Sequence, residues 1–398
     1  MRILFGSSPG TGHVQPMLPL ALALQARGHE VLWATGPDGC EWVRGAGVAA
    51  AEVGLPTRAR MVEYRRRWPE SAALSGEESV AYMFPRLFGA VTAGASFMPL
   101  LALAREWRPH LVVSEAADFA SPPVAAALGV PQVTHGFGLV VPPARVEAAG
   151  QFAAPLWEQV GLVPRPFGGL YDHLYIDIYP PSLQLDDLAH IGRIQRRRPE
   201  SHTDSRGPLP SHVEEALRDP RPLVYLTFGT VFNANDAFDA AVETLAALPE
   251  LVAVVTVGPD GDPTTFGDVP DHVAVARYVP QNRVFERAEA VASHAGSGTL
   301  LGALSAGIPQ VCLPQAADQF RNAAACASSG AGVALVSGDV TPDRIRDALL
   351  AILHESRYRQ AAVRLQDEIA SMPSVEDVAA VVESLDATTG DASNETAG

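Results

Sequence analysis

The sequence predicts an α/β protein of two domains, each built around a doubly wound parallel sheet. Three observations lead to this fold class. The chain opens with a strand, a glycine-rich loop, a helix and a second strand; the same pattern restarts after residue 222; and a polar, proline-rich segment separates the two halves. At 398 residues the chain is also long for one hydrophobic core, and its apolar fraction of 47% is ample for two.

The first half opens on a βαβ pattern. Residues 1–5 are a short apolar run, 6–12 a loop of Gly, Ser and Pro, and 14–27 a Leu- and Ala-rich helix that stops at Gly28 before a strand at 30–35. The pattern returns as a strand at 111–114, a helix at 122–128 and a strand at 132–135. Segments 57–97 and 136–180 interrupt it with many aromatic residues, which is typical of insertions that shape a binding cleft.

The second half is more regular, as expected of a domain that binds a common ligand. Its elements are predicted at 223–228, 237–248, 252–257, 273–276, 283–288, 290–294, 299–306 and 310–313. The stretch 196–222 is rich in Pro and charge, and it predicts a linker at 206–220 between domains 1–205 and 221–374. The small, polar residues 387–398 predict a disordered tail.

Composition excludes several classes of function. The net charge is −16, from 29 basic and 45 acidic residues, so a general affinity for nucleic acid or for an anionic membrane is not expected. The three cysteines, Cys40, Cys312 and Cys326, have neither metal-like nor disulfide-like spacing. The start of the chain does not read as a secretory signal, and no run of about 20 uninterrupted apolar residues occurs. We therefore expect a soluble, cytoplasmic protein.

The most informative stretch is 294–322, HAGSGTLLGALSAGIPQVCLPQAADQFRN with its first residue at 294. A glycine-rich loop that opens a helix is an anion site, because its N–H groups point outward and the helix dipole favours negative charge. Asp318 and Gln319 follow one strand and one turn later, on the same edge of the sheet. A phosphate site beside a carboxylate and an amide that can bind hydroxyls predicts a nucleotide-linked sugar.

The loop after the first strand, GSSPGTGH at 6–13, has two interpretations. One is a dinucleotide fingerprint, which is disfavoured because the glycines are spaced G-x-x-x-G-x-G and the second strand ends in Ala34 and Thr35 without an acid for a ribose. The alternative gives the role to His13, at the carboxyl edge of the sheet, where a histidine can serve as a general base near neutral pH. The plainer alternative is that His13 has a structural role only, in capping the helix or in packing.

A general base of this kind needs a carboxylate to orient it. Glu115 and Asp118 follow the strand 111–114 and should reach the same edge as His13. Either could fix the histidine tautomer and stabilise the imidazolium that forms when the proton is taken. Glu115 is the better placed of the two.

Other loops of the second half carry weaker indications. The loop after its first strand contains two hydroxyls and a glycine that could bind a phosphate or a sugar: Thr227, Gly229 and Thr230. A later loop contains an aromatic ring, exposed backbone groups and an amide that together could bind a pyrimidine base: Tyr278, Val279 and Gln281. The D-x-D sequence at 260–262 resembles a divalent-metal motif but lies in a turn of Gly, Asp and Pro, so no metal is expected there. The arginine runs 65–67 and 196–198 are interpreted as solvated surface.

These motifs together resemble the GT-B glycosyltransferases of the UDP/TDP-glycosyltransferase superfamily, and most closely the actinobacterial enzymes that decorate antibiotic aglycones. The resemblance lies in the 294–322 run, in GTGHVQPMLPLALALQARGHEV at 10–31, and in the loops TFGT and VPQ between them. It implies two Rossmann-like domains facing a central cleft, with the acceptor bound by the first domain and the donor by the second. It also implies that a helix at about 375–386 packs back on the first domain.

The resemblance implies an inverting transfer without metal or other cofactor. His13 would deprotonate an acceptor hydroxyl, with Glu115 or Asp118 as its partner, although the usual partner in the family is Asp. The donor, a TDP- or UDP-sugar, would be bound by Gly12, Thr227, Gly229, Thr230, Tyr278, Val279, Gln281, His294, Gly296, Ser297, Gly298, Thr299, Asp318 and Gln319. The acceptor, a large apolar natural product, would contact Tyr64, Phe84, Phe88, Phe137 and Trp157.

Several alternatives stay open from the sequence. The donor sugar is expected to be a deoxysugar, the acceptor is not identified, and the protein is expected to be a monomer or a homodimer. A sugar-nucleotide epimerase can share this fold without transferring sugar. A catalytically idle homologue that binds nucleotide and supports a partner enzyme is the other alternative, and an intact His13 with a carboxylate nearby argues against it.

Overall fold

A computed structural model shows two separate parallel sheets in this chain. The structure describes residues 1–200, 207–229, 236–258, 261–336 and 338–391, with side chains as far as 385. The chain divides into two compact units: unit 1 is Met1–Tyr179, Asp186–His202 and Met372–Gly398, and unit 2 is Pro180–Leu185 and Thr203–Ser371. The predicted fold class, two α/β domains with parallel sheets, is confirmed.

Unit 1 contains a seven-stranded sheet in the order β3-β2-β1-β4-β5-β6-β7, with every neighbouring pair parallel. Its strands are β1 (Arg2–Gly6), β2 (Glu30–Thr35), β3 (Ala49–Glu52), β4 (Leu111–Glu115), β5 (Gln132–His135), β6 (Leu174–Asp177) and β7 (Ile194–Arg196). The helices that cover it are α1 (Thr11–Val14), α2 (Leu18–Ala26), α3 (Pro37–Gly45), α4 (Thr57–Arg67), α5 (Gly76–Phe84), α6 (Ala93–Trp107), α7 (Ser121–Leu128) and α8 (Pro143–Gln159).

Unit 2 contains a six-stranded parallel sheet in the order β10-β9-β8-β11-β12-β13. Its strands are β8 (Leu223–Thr227), β9 (Val252–Thr256), β10 (Val273–Ala276), β11 (Ala290–Ser293), β12 (Gln310–Cys312) and β13 (Gly332–Ala334). Its helices are α9 (Ser211–Arg218), α10 (Asp236–Ala246), α11 (Gln281–Phe285), α12 (Ser297–Ser305), α13 (Gln319–Ser328), α14 (Pro342–His354) and α15 (Ser356–Ser371).

Each sheet has a point where the strand order reverses. In unit 1 the reversal lies between β1 and β4, and in unit 2 between β8 and β11. The strands beside it are buried on both faces, as β4 and β8 are throughout, so their apolar sequence follows from their central position. Loops at the carboxyl ends of such strands diverge and leave a crevice, which is where ligands bind in open α/β sheets.

Helix α9 corrects the prediction of a linker at 206–220. It occupies Ser211–Arg218 and packs against the second sheet, where Val213 and Ala216 join Leu209 in the core of unit 2. The surrounding prolines and charges conceal this short amphipathic helix, because only one of its faces is apolar.

A continuous helical run of 32 residues, Gly76–Trp107, crosses unit 1. It comprises α5, a π-helical segment Pro85–Thr92 and α6, and it is long and apolar enough to span a membrane by length and composition alone. The sequence contains no uninterrupted apolar run of that length, because polar residues punctuate it. Half of its most apolar window is buried, and residues such as Leu87, Phe97 and Leu101 belong to the core of unit 1, so its hydropathy is accounted for by packing inside the protein.

The last helix, α16 (Val375–Asp391), belongs to unit 1. Val378, Ala379 and Val382 are fully buried against the core that contains α2. The helix continues beyond the predicted end at 386, so residues 387–391 of the predicted tail are helical, and residues 392–398 lie outside the described part of the chain.

An ion-pair network attaches α16 to the start of unit 1. The Glu383 carboxylate accepts hydrogen bonds from Arg27 Nε and Nη2, at 2.7 and 2.6 Å, and lies 2.6 Å from His29 Nε2. The hydrogen bonds with Arg27, followed by those with His29, lower the pKa of Glu383 to about 2.

We expect Glu383→Gln to lower the melting temperature of the protein at neutral pH. Because the folded pKa of Glu383 lies below its unfolded value, its contribution to stability is present above about pH 4.5 and is lost as the pH falls towards about 2. The difference in melting temperature between wild type and variant should therefore shrink across that window, measured by circular dichroism. Glu376→Gln, an exposed change in the same helix, is the control; a difference independent of pH would contradict the assignment.

Candidate active site

His13 lies just beyond the carboxyl end of β1, where the strand order of unit 1 reverses. The chain turns there through Gly10, the residue before α1, and the His13 N–H donates to the Gly10 carbonyl at 3.0 Å. A Cβ on Gly10 would lie 3.2 Å from His13 Cδ2, so glycine leaves room for the imidazole. His13 is partly exposed, as a base that receives a substrate proton must be.

Glu115, the last residue of β4, is the carboxylate that faces His13. Its Oε2 lies 3.1 Å from His13 Nδ1, close but not aligned as a standard hydrogen bond, and the Glu115 side chain is completely buried. The N–H groups of Ser8 and Ala117 donate to its two oxygens at 3.0 and 2.9 Å. Burial alone raises the pKa of Glu115, but His13 and these donors outweigh it, so the pKa is lowered and the carboxylate stays ionised.

Asp118, the other predicted partner of His13, is engaged elsewhere. Its Oδ1 accepts hydrogen bonds from the N–H groups of Ala120 and Ser121, and its Oδ2 accepts one from the Ser121 hydroxyl at 2.5 Å. Burial raises the pKa of Asp118 to about 6. In this structure Asp118 holds the start of α7 and does not orient His13.

Two of the five predicted acceptor residues contact His13 directly. The ring centroids of Phe137 and Phe88 lie 4.8 and 5.4 Å from that of His13, and Phe84 stacks behind Phe88 at 5.0 Å. Phe84 and Phe88 are delivered by α5 and the π-helical segment. The base therefore sits against an apolar, aromatic wall.

The other two predicted acceptor residues are core residues. Trp157 is 1% exposed and packs so closely on Gly169 that a Cβ there would lie 2.7 Å from its ring. Tyr64 is 3% exposed and stacks on Trp68 at 5.8 Å. Both were predicted from bulk and position in an irregular segment, which does not reveal that their helix faces point into the core.

In unit 2, the loop between β11 and α12 surrounds a buried histidine. His294 fits between Gly229 and Gly296, since a Cβ on either glycine would lie within 2.9 or 2.6 Å of the imidazole. Burial lowers the pKa of His294 to about 4, against the Asp318 charge and a hydrogen bond with the Thr227 backbone, which both raise it. His294 is therefore neutral at pH 7. It can hydrogen-bond a ligand but does not supply a positive charge.

The first turn of α12 opens at this loop. Gly296 precedes the helix in an extended conformation, and Ser297, Gly298 and Thr299 form its first turn, with Thr299 4% exposed. Ala295 holds a φ of 62°, a left-handed conformation that non-glycine residues adopt rarely. The backbone N–H groups of this turn are the anion-binding feature predicted from the sequence.

Asp318, Ser297 and Asn322 form one hydrogen-bonded network. The Ser297 hydroxyl donates to Asp318 Oδ2 at 2.8 Å. Asn322 Nδ2 lies 2.9 Å from the same carboxylate oxygen, 3.1 Å from Ser297 Oγ and 2.9 Å from the Ala295 carbonyl. The network fixes one oxygen of Asp318 and joins the loop after β11, the start of α12 and the start of α13.

Asn322 was missed by the sequence analysis, although it is fully buried at the centre of this network. The available signal was its spacing: it stands four residues after Asp318 on the predicted helix, where the two side chains meet.

We expect Asn322→Ala to destabilise the protein by about 1–3 kcal/mol and to weaken binding of thymidine diphosphate, because the Ala295 carbonyl loses a buried donor and Asp318 is left loosely held. Urea unfolding and calorimetric titration measure the two effects. The exposed Asn282→Ala change in the same unit should stay within about 0.5 kcal/mol of wild type. Unchanged affinity in the folded Asn322 variant would contradict the role of the network.

Gln319 contributes to the loop before α13. Its Oε1 accepts hydrogen bonds from the N–H groups of Gln315 and Ala316 at 2.8 and 2.9 Å, and the residue is 2% exposed. This oxygen is engaged by the loop backbone, and the predicted contact of Gln319 with a sugar hydroxyl stays a prediction. Asp318, whose Oδ1 is not part of the network above, is the better placed hydroxyl acceptor.

The remaining predicted donor residues are placed as follows. Tyr278 is 52% exposed, Val279 is buried, and Gln281 is the first residue of α11, with a buried Oε1 that has no partner among the described residues. Thr227 Oγ1 accepts a hydrogen bond from the Gly229 N–H at 3.3 Å. Gly12 lies exposed on α1 in unit 1, and Thr230 lies outside the described residues.

The turn that contains the D-x-D sequence is only partly described, since Asp260 falls outside the described residues. Asp262 accepts hydrogen bonds from the N–H and the hydroxyl of Thr264, which is turn chemistry. Across the described ranges, no group of three His, Cys, Asp or Glu side chains is placed to hold a metal ion.

Comparison with known proteins agrees with this geometry. Residues 22–195 match the N-terminal domain, and residues 242–385 the C-terminal domain, of the erythromycin biosynthesis protein CIII-like (EryCIII-like) family. The chain is 33% identical to the elloramycin glycosyltransferase ElmGT of Streptomyces olivaceus, over 98% of this chain and 100% of that protein. It is also 33% identical to the L-demethylnoviosyl transferase of Streptomyces niveus, over 94% of this chain and 95% of that protein.

A solved structure shows the same fold. The spinosyn rhamnosyltransferase SpnG, complexed with thymidine diphosphate, superposes with a TM-score of 0.79 at 29% identity, over 97% of this chain and 100% of that one. The resemblance predicted from the sequence is confirmed. The chain belongs to the EryCIII-like family and is a GT-B glycosyltransferase that resembles actinobacterial enzymes of antibiotic biosynthesis.

Proposed function

We propose that the enzyme transfers a deoxysugar from a TDP-sugar, with a UDP-sugar as the alternative donor, to a hydroxyl of a large apolar natural-product aglycone. We further propose that the transfer inverts the anomeric carbon and needs no metal. The observation that carries this proposal is the pairing of a partly exposed His13 with the buried, ionised Glu115 beside an aromatic wall. The relatives and the TDP complex described above support the choice of donor.

In the proposed reaction, His13 takes the proton of the acceptor hydroxyl. Nδ1 faces Glu115, so Nε2 is the nitrogen left to receive that proton. Glu115 fixes the tautomer and stabilises the imidazolium that forms. The acceptor oxygen then attacks the anomeric carbon from the face opposite the nucleotide, the bond to the diphosphate oxygen breaks, and its electron pair leaves with the nucleoside diphosphate.

Unit 2 is proposed to hold the donor and to stabilise the departing charge. The N–H groups at the start of α12 and the hydroxyls of Ser297 and Thr299 would surround the diphosphate, and neutral His294 would add a hydrogen bond. Asp318 Oδ1 would accept a sugar hydroxyl, while Gln319 holds the adjoining loop. Tyr278 and Gln281 would receive the base and ribose. The three cysteines are free, which fits the reducing cytoplasm in which we place the reaction.

The test is to incubate the protein with TDP- and UDP-sugars and a panel of aglycones, with and without EDTA, and to follow release of nucleoside diphosphate. We expect release only when donor and acceptor are both present, no effect of EDTA, and a product of inverted anomeric configuration by NMR. Isomerisation of the donor without acceptor would instead indicate an epimerase. Donor binding without any turnover would indicate an idle homologue, and either result would overturn the proposal.

A further inference from the structure

Arg197 is a buried cation just beyond the carboxyl end of β7. It is 1% exposed, so the interpretation of 196–198 as solvated surface is wrong at this position, although the neighbouring Arg196 is exposed. Burial lowers the pKa of Arg197 to about 10. Its Nε and Nη1 have no hydrogen-bond partner among the described residues. A buried cation with unpaired donors is costly, so Arg197 requires an explanation.

The side chain of Arg197 reaches the turn between α1 and α2. Its Nη2 donates to the Pro16 carbonyl at 2.8 Å, and its backbone N–H donates to the Asp177 carbonyl at the end of β6, also at 2.8 Å. Pro16 lies in the 3₁₀ turn Gln15–Met17, which connects the two helices. Arg197 therefore joins the carboxyl edge of the sheet to the segment that follows His13.

The Pro16 carbonyl needs a hydrogen-bond donor from outside its own segment. In a continued 3₁₀ turn it would accept from the N–H of residue 19, but Pro19 has no N–H. The hydrogen-bond ladder of α2 starts one residue later, because Met17 is the residue that caps this helix. A partly buried carbonyl without a donor is costly, and Arg197 Nη2 supplies the donor.

His13 lies three residues before this carbonyl, on a helix of a single turn. Helix α1 has only four residues, Thr11–Val14, and so short a helix is not stable without contacts to the rest of the protein. At its start, the N–H groups of His13 and Val14 donate to the Gly10 carbonyl, and the Val14 side chain is fully buried. The hydrogen bond from Arg197 fixes the chain beyond the other end of this turn.

We infer that Arg197 is a positioning residue for the catalytic base: it supplies the hydrogen-bond donor that Pro19 lacks, fixes the turn after α1 and so holds His13 in place. The inference rests on the proposed function, in which His13 is the base. Arg197 acts through the backbone of this turn and does not touch the substrate. Because a displacement of about 1 Å at a reacting group is enough to slow a reaction strongly, a looser turn lowers kcat without weakening nucleotide binding.

Arg197→Met removes the hydrogen bond and leaves a side chain suited to a buried site. With the most active donor and acceptor of the panel above, we expect kcat to fall by about 10- to 100-fold, while the KM for the TDP-sugar stays within about twofold. Arg197→Lys keeps a charged donor and should recover kcat to within about fivefold of wild type. Arg196→Met, the change at the exposed neighbour, should keep kcat within about twofold.

Hydrogen exchange of the full chain, followed by mass spectrometry, reports on the turn without any turnover. The peptide that covers residues 10–20 should exchange about fivefold or more faster in Arg197→Met than in wild type, while peptides of unit 2 should not change. Arg196→Met should exchange as wild type does. Pro19→Ala restores an N–H that can donate to the Pro16 carbonyl, so the effect of Arg197→Met on exchange should be smaller in that background.

Folding of each variant is checked by circular dichroism. If Arg197→Met does not fold, Arg197→Gln, whose shorter side chain ends before Pro16, replaces it under the same criteria. Unchanged exchange of residues 10–20 in the folded variant, unchanged kcat, or an equal loss in Arg196→Met would overturn the inference. An effect of Arg197→Met that is as large with Pro19→Ala as without it would also overturn it.

The exchange measurement separates this inference from the proposed function. If residues 10–20 exchange faster as expected but His13→Ala still transfers sugar, the proposed function fails, while the structural part of the inference, the anchoring of the turn by Arg197, stands. If His13→Ala is inactive and the exchange in Arg197→Met is unchanged, the proposed function stands and the inference fails.

Discussion

His13→Ala is expected to lower kcat/KM for glycosyl transfer by about 10²- to 10⁴-fold, the usual contribution of a positioned general base. The variant loses the nitrogen that is proposed to take the proton of the acceptor hydroxyl, and it leaves Glu115 without its partner. Binding of thymidine diphosphate, measured by calorimetric titration, should change little, because all the predicted donor residues except Gly12 lie in unit 2, whereas His13 lies in unit 1.

His110→Ala is the matched control for this change, since His110 is an exposed histidine of unit 1 whose ring accepts a hydrogen bond from the Arg2 N–H. It should transfer sugar at close to the wild-type rate. If His13→Ala retained full activity, or lost activity together with nucleotide binding, His13 would not be the base.

Gly296→Ala is expected to weaken binding of thymidine diphosphate about tenfold or more. The added methyl group would lie 2.6 Å from His294 Nε2 and 2.9 Å from Cε1. His294 cannot move away freely, because it is 8% exposed and Gly229 also lies against the ring, where a Cβ would be 2.9 Å from Cε1. The loop between β11 and α12 must therefore shift, and the N–H groups at the start of α12 shift with it.

Gly298→Ala provides the comparison for the folded state, because a Cβ at this position meets nothing within 4 Å. Its melting temperature should be equal to that of the wild type or slightly higher, as alanine is favoured over glycine in a helix by about 0.5–1 kcal/mol. Gly296→Ala should melt lower. Wild-type nucleotide affinity in a folded Gly296→Ala protein would refute the packing argument.

The positions of the main site residues could be predicted from the sequence because parallel sheets place loops in a regular way. His13 and Glu115 follow β1 and β4, the two strands at the reversal of strand order, so their proximity follows from recognising those strands. The glycines around His294 and the start of α12 were visible for the same reason. A loop that follows a central strand of a parallel sheet begins at the same edge of the sheet as the loops of the neighbouring strands.

The directions of individual side chains could not be predicted in this way. Trp157 and Gln319 were assigned to ligands, yet the first is buried in the core and the oxygen of the second binds its own loop. The choice between Glu115 and Asp118 depended on which carboxylate the turn after β4 directs at His13. Composition also concealed α9, whose apolar residues are too few to mark a helix within a segment rich in proline and charge.

The role of His13 as the base is tested most directly by measuring how the transfer rate depends on the acidity of the acceptor hydroxyl, in wild type and in His13→Ala, with a series of phenolic acceptors. A general base matters least when the hydroxyl ionises readily. If His13 is the base, we expect a shallow dependence in wild type and a steep one in His13→Ala, with the two rates converging for the most acidic phenols. An equal loss of rate for every acceptor would contradict it.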